Sequence, residues 1–211
     1  VYGLPDSLPL TEASPITKAT NPYGSTKLYI EQLLCDAAAA NPDLSVALLR
    51  YFNPAGAHAS GDLGEDPSGI PNNLLPYITQ VAVGKRDSLT VHGDDYKTPD
   101  GTCIRDYIHV MDLAQGHVAA LDWLDNKTGA HAFNLGTGQG HSVLEVIKAF
   151  EHATNLTIPY QIGARRPGDI EASFTDPAKA QRELGWRAEK TLLDICRDAW
   201  NWQQKNPDGY E

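Results

Sequence analysis

In NPYGSTK, residues 21–27, a tyrosine stands four residues ahead of a lysine, just inside a helix start. Asn21 is a good N-cap and Pro22 suits the first helical position, where a missing N–H costs nothing. The residues that follow, LYIEQLLCDAAAA, favour helix to about Ala40, with apolar side chains at Leu28, Leu33, Leu34 and Ala37. Tyr23 and Lys27 then share one helix face, with Cβ atoms about 6 Å apart. A free phenol has a pKa of about 10. A neighbouring ammonium stabilises the phenolate, and a second fixed positive charge, such as an oxidised nicotinamide ring, adds to the effect. A phenol tuned in this way can take the proton of an alcohol while hydride leaves the same carbon. Nine Tyr and nine Lys in 211 residues give this spacing about 0.4 times by chance. The pair alone is therefore equally an exposed helix contact, and its surroundings must decide.

Other residues could bind rather than react. Arg105 lies in CIRDYIHV, and Arg165, Arg166 and Asp169 lie in ARRPGD. Both stretches are polar loops that follow strands. Their arginines either meet solvent or converge on a diphosphate, which the planar guanidinium fork suits. Asn72 and Asn73 precede a helix, as a simple cap or as amides reaching sugar hydroxyls or a phosphate. NLGTGQGHS, 134–142, carries glycines at 136, 138 and 140 between a strand and a helix. The spacing is G-x-G-x-G rather than the G-x-G-x-x-G of a dinucleotide cradle, so it reads as a tight turn. His109 and His117 share a helix, but no third histidine has fitting spacing, and no metal site is expected. HVMD beside RDY reads as a structural helix start, with Asp106 or its neighbours as polar anchors.

The elements that must position these groups alternate along the chain. Apolar runs at LSVALLRYFN (44–53), SLTVHG (88–93), HAFNLG (131–136) and TIPYQIG (157–163) read as strands. The first reads as a buried parallel strand. Helical patterns fall near 73–83, 109–124, 142–154, 177–185 and 192–205, the third opened by the capping box Ser142 and Glu145. Residues 3–20, 53–73 and 94–110 are turn-rich, and a loop as long as the second is usually functional. This order predicts an α/β fold with a doubly wound parallel sheet. Net charge is −10 with 41% hydrophobic residues, which argues against nonspecific nucleic-acid binding and offers no polybasic membrane patch. Three cysteines without metal spacing suit a reducing cytoplasm. No apolar run reaches membrane-spanning length. Val1 and Tyr2 read like the end of a buried strand, which suggests a piece of a longer chain.

Five stretches then fall in one order: NPYGSTK; LLRYFNPAGAHASGDLGEDPSGIPNNLLPYI; VAVGKRDSLTVHGDDYKTPDGTCIRDYIHVMDLA; NLGTGQGHSVLEV; and RRPGDIEASFTDPAKAQRELGW. Together they closely resemble the UDP-glucose 4-epimerases, a family of extended short-chain dehydrogenases, over essentially all 211 residues. The resemblance implies tightly held NAD, a UDP-hexose substrate, and inversion at C4 through a 4-keto sugar. It implies Tyr23 as the base and Lys27 as its partner, both also against the cofactor, with Phe52 as a backbone contact beside the nicotinamide. It implies substrate contacts at Asn53, Asn73 and Leu74, a stretch flanking the uracil at Thr90, Val91 and His92, a diphosphate clamp of Arg105 and Arg166, and a ribose contact at Asp169. Ser173 falls at the wall of the hexose pocket, and a small residue there implies acceptance of N-acetylated sugars as well.

The family's N-terminal half has no counterpart in the 211 residues. The chain is therefore expected to hold the second half of a Rossmann-type doubly wound sheet plus a smaller α/β substrate domain. Residues 1–53 and about 107–137 are assigned to the first, and about 54–106 and 138–211 to the second. On its own the chain is expected to be inactive and poorly soluble. A homodimer through helices that include the Tyr23–Lys27 helix is implied when the protein is intact, with neither nucleic acid nor membrane as partner. The alternatives are a nucleotide-sugar 4,6-dehydratase of the same superfamily and a non-catalytic fragment.

Overall fold

The computed structural model describes residues 1–16, 19 and 21–210. Part of the loop expected over 3–20, at Thr17, Lys18 and Thr20, lies outside the described residues. In chain order the elements are α1 (Pro22–Ala40), β1 (Ser45–Tyr51), β2 (Asn53–Ala55), α2 (Leu74–Ala82), β3 (Leu89–His92), β4 (Ile104–Arg105), β5 (Tyr107–His109), α3 (Val110–Leu124), β6 (Gly129–Leu135), β7 (His141–Ser142), α4 (Val143–Thr154), β8 (Tyr160–Gly163), β9 (Ala172–Ser173), α5 (Ala178–Leu184) and α6 (Leu192–Lys205).

Each long strand finds a parallel partner across a helix. β1 runs beside β6 from Ser45 opposite Gly129 to Tyr51 opposite Leu135. β2 pairs with β5, and β3 with β8. β4 lies between β7 and β9, antiparallel to the first and parallel to the second. The α/β class with parallel pairing follows from these crossovers, since parallel strands need a connection long enough to hold a helix. The helix starts obey their caps. Asn21 Oδ1 accepts from Gly24 N at 2.8 Å, and Ser142 and Glu145 close the expected capping box on α4. A second box, Thr191 with Asp194, opens α6; the T-x-x-D spacing was the available signal for it.

Two apolar clusters hold these layers. The larger joins α2, α4 and α6 to β3 and β5 through Leu75, Ile78, Val91, Tyr107, Ile147, Phe150 and Ile195, among others. The smaller joins Ile108, Leu113, Leu135, Ala180 and Trp186, with Leu49 packed against it. β1 departs from the expectation of a fully buried strand: only Leu48 is buried and Tyr51 is half exposed. Among the described residues β6 is its one paired strand, so its other edge is unpaired there. α1 is likewise thinly covered. Ala38 is its one buried residue, and the apolar Leu33 is 66% exposed. No helix among the described residues is long and apolar enough to cross a membrane.

Candidate active site

The helix that carries Tyr23 and Lys27 starts where Asn21 caps it, and the pair forms in its first turns. Lys27 Nζ lies 4.8 Å from the centre of the Tyr23 ring. The ring is exposed, and Lys27 makes no ion pair with a carboxylate among the described residues. A base and an ammonium are therefore presented together on an accessible helix face.

The second group of residues is gathered by Asp106, which lies between β4 and β5 and is fully buried. Its Oδ1 accepts from Thr137 N at 2.9 Å and Thr137 Oγ1 at 2.7 Å. Its Oδ2 accepts from Gly138 N at 3.1 Å and Thr175 N at 3.3 Å. The Asp106 backbone continues the junction, accepting from Asn53 N at 2.9 Å and donating to Ser173 O at 3.1 Å. One residue thus fixes the start of β2, the glycine turn and β9 relative to one another. The glycine turn is confirmed as a tight turn. It is filled from within: a Cβ at Gly136 would lie 2.7 Å from Asp106 Oδ2. Asp106 already takes the Thr137 and Gly138 N–H groups that an anion in this turn would use.

Arg105 precedes Asp106 and stands opposite Ser173 across the β4–β9 pair. Its Nη2 lies 3.8 Å from Asp169 Oδ1, and Arg166 Nε donates to Asp169 Oδ2 at 3.1 Å. The turn RPGD places Asp169 by donating its own N–H to Arg166 O at 3.2 Å. Arg105 and Asp169 are mostly covered, and half of the Arg166 side chain faces outward. Two guanidinium groups share one carboxylate, so the cluster keeps a surplus positive charge and free N–H donors for an oxyanion. Arg165 is held apart. It donates to Asp95 Oδ1 at 2.6 Å and stacks on Tyr96 at 4.0 Å, and the Arg165 hydrogen bond holds the Asp95 carboxyl below its usual range. Of the two adjacent arginines, only Arg166 joins Arg105.

The remaining candidates stand on other elements. Phe52 N donates to Leu135 O at 3.1 Å at the end of β1, and Asn53 is exposed. Asn73 is the residue before α2, but its side chain makes no cap; its Nδ2 donates to Glu65 Oε1 at 2.8 Å. Leu74 packs against the larger cluster. On β3 the side chains alternate: Val91 is buried, while Thr90 and His92 are half buried on the other face, with His92 Nδ1 3.2 Å from Ala164 O. Among the described residues no hydrogen bond or ion pair links Tyr23 or Lys27 to the arginine cluster. A ligand long enough to touch both would have to bridge them.

His109 is structural. His109 Nε2–H donates to Asp198 Oδ2 at 3.2 Å while Nδ1 accepts from Met111 N at 3.0 Å. Burial lowers its pKa despite the Asp198 carboxylate, which favours the neutral ring that these bonds require. Both ring nitrogens are engaged, so His109 has none left for a metal. Among the described residues no group of three or more His, Cys, Asp or Glu could hold a metal ion.

Comparison with known proteins places this geometry in context. The family model described as GDP-mannose 4,6 dehydratase matches residues 1–199. The chain is 60% identical over 211 residues to the UDP-glucose 4-epimerase of Bacillus subtilis (strain 168), covering all of this chain and 62% of that protein. It is 57% identical over 211 residues to the UDP-glucose 4-epimerase of Dictyostelium discoideum, again over its whole length and 61% of the relative. It superposes with a TM-score of 0.97, at 58% identity, on a crystal structure of the UDP-glucose 4-epimerase from Bifidobacterium longum in complex with NAD+ and UDP, covering 100% of this chain and 62% of that one. The chain thus spans about three fifths of the length of the relatives it matches.

Proposed function

This chain belongs to the GDP-mannose 4,6-dehydratase family, and we propose that within it the intact protein is an NAD-dependent UDP-glucose 4-epimerase. The observation that carries this reading is the convergence of Arg105 and Arg166 on Asp169, beside Ser173, in a chain that also presents Tyr23 with Lys27. Relatives named UDP-glucose 4-epimerase, 60% and 57% identical over the whole chain, favour epimerisation over the dehydratase alternative.

The residues present fit the nicotinamide end of NAD. Lys27 is an ammonium without a carboxylate partner among the described residues, next to an exposed phenol, which suits ribose hydroxyls, and the Phe52 backbone lies at the end of β1. The Asp106-filled turn does not suit its pyrophosphate. When bound, NAD supplies the acceptor for the C4 hydride and returns it to the opposite face of the sugar. Tyr23, as phenolate, takes the proton of the 4-OH. The O–H electron pair becomes the second C–O bond of the 4-keto sugar. Lys27 stabilises the phenolate electrostatically. Arg105 and Arg166 hold the diphosphate by charge-assisted bonds, so the hexose can turn about an anchored end. Asp169 meets the ribose, Thr90, Val91 and His92 flank the uracil, and Asn53, Asn73 and Leu74 line the sugar path. Tyr23 then gives the proton back to O4.

The two apolar clusters support a division into a nucleotide-binding remnant, 1–53 with about 107–137, and a substrate unit, about 54–106 with 138–211. Tyr107, in the larger cluster, and Ala180 and Trp186, in the smaller, pack across that division. Assembly as a homodimer through helices that include α1 and a cytoplasmic location complete the reading. The test is conversion of UDP-galactose to UDP-glucose by the intact protein with NAD. A protein that leaves UDP-galactose unchanged refutes the proposal.

Ser173 sets the range of sugars. It is half buried on β9, opposite Arg105, and its small side chain leaves room beside the 2-substituent of the hexose. Steric exclusion from a pocket wall changes specificity by about 10–200-fold. The intact protein is expected to epimerise UDP-N-acetylglucosamine too. Ser173→Tyr should lower kcat/KM for that substrate by about 10–200-fold while sparing UDP-galactose. An equal loss for both substrates would remove the gate.

A further inference from the structure

On α1, Tyr23, Lys27 and Glu31 follow one another at intervals of four and so lie on one helix face. Glu31 is held from below. Its carboxylate takes a forked pair of bonds from Arg50 on β1, from Nε at 3.0 Å and from Nη2. Both side chains are largely buried, at 14% and 9% exposure. Arg50 Nη1 donates to Tyr2 Oη at 3.1 Å, and Tyr2 Oη donates to Asn134 Oδ1 at 2.5 Å. Asn134, opposite Arg50 in the β1–β6 register, donates through Nδ2 to Leu10 O at 3.1 Å. The clamp therefore rests on two strands and the opening loop. By contrast α1 itself buries only Ala38 within this chain. Apolar packing there does little to fix how the helix is rolled about its axis.

We infer that the Glu31–Arg50 clamp is a positioning device that sets the roll of α1 and thereby aims Tyr23 and Lys27 at the sugar. Glu31 sits eight residues, about 12 Å, along the axis from Tyr23, so it acts through the helix and touches no reactant. This deepens the epimerase reading and rests on it. A mere stabilising ion pair predicts a different pattern. Removing one partner strands a buried charge, whereas replacing both by apolar groups of similar volume is often neutral for stability. Stability and aim can thus be separated with the pair Glu31→Leu/Arg50→Met.

The experiment compares the intact wild type, that double variant and Arg50→Lys, which keeps the charge but loses the fork. Crystal structures give the position of the Tyr23 hydroxyl, and kinetics give kcat and KM for UDP-galactose. In the double variant the hydroxyl should move by about 1 Å and kcat should fall about 10–100-fold, because misplacement on that scale costs about 100-fold. KM and UDP affinity should stay within about twofold, since the arginine cluster is untouched, and Arg50→Lys should lie in between. If the double variant does not fold, Arg50→Lys decides by the same readouts. An unmoved Tyr23, or a kcat within twofold of wild type, overturns the inference. A wild type inactive on UDP-galactose refutes the epimerase reading instead, and the displacement of Tyr23 still decides the clamp.

Discussion

Tyr23→Phe in the intact protein is expected to lower kcat for UDP-galactose by about 100–10,000-fold, the usual contribution of a positioned acid–base group. UDP affinity should be unchanged. The two halves of this expectation come from separate parts of the molecule. Phenylalanine keeps the ring on which Lys27 rests, 4.8 Å away, and removes only the group that exchanges the proton. In the proposed reaction UDP is held at the other end, by Arg105 and Arg166, which meet around Asp169, with no bond among the described residues joining the two groups. Turnover and UDP binding, measured on one preparation, separate the effects. A variant that retains full turnover removes Tyr23 from the mechanism. One that loses UDP binding as well shows that the two ends are coupled.

The second large effect is on stability. Asp106→Ala is expected to destabilise the intact protein by about 3–5 kcal/mol. The wild-type carboxylate receives four hydrogen bonds, from Thr137 N, Thr137 Oγ1, Gly138 N and Thr175 N. Each buried donor left without an acceptor costs about 1–3 kcal/mol, and bonds to a charged group are at the upper end. The costs are not fully additive, because a cavity the size of a carboxylate can admit water that bridges some donors. The same substitution loosens the frame around Arg105 and Ser173, so UDP affinity should fall with stability. Urea unfolding gives the first quantity and titration with UDP the second. A loss below 1 kcal/mol would mean that Asp106 does not hold the glycine turn and β9 together.

The parts of the molecule legible in the sequence are those with local signals. The α1 start was readable because Asn21 and Pro22 each have a physical reason to stand at a helix N-terminus. α4 was readable from its capping box, and the four longer strands from their apolar runs. β2, β4, β5, β7 and β9 were not, because two or three residues cannot display a period. Each exists only through a partner far along the chain, as Arg105 finds Ser173. The site divides in the same way. Tyr23 and Lys27 are one helical turn apart and announce themselves. Arg105 and Asp169 are brought together by the β4–β9 pairing and the RPGD turn, and spacing left them undecided until the family resemblance was considered. Asp106 was legible only as a polar anchor, without its four partners. Glu31 and Arg50 gave no signal, since a glutamate on an amphipathic helix and an arginine in an apolar strand each look ordinary alone. Leu33 and Leu34 of α1 are exposed for a related reason: an apolar residue type does not say what covers it.

In the proposed reaction one and the same hydride leaves C4 of the sugar and returns to it, with Tyr23 moving the proton. The most direct test is the fate of deuterium placed at C4 of UDP-galactose, followed by mass and NMR analysis of the product formed by the intact protein with NAD. The proposed reaction gives UDP-glucose of unchanged mass, with C4 inverted and the deuterium still on C4. A product lighter by one water would contradict it and assign the protein to dehydration.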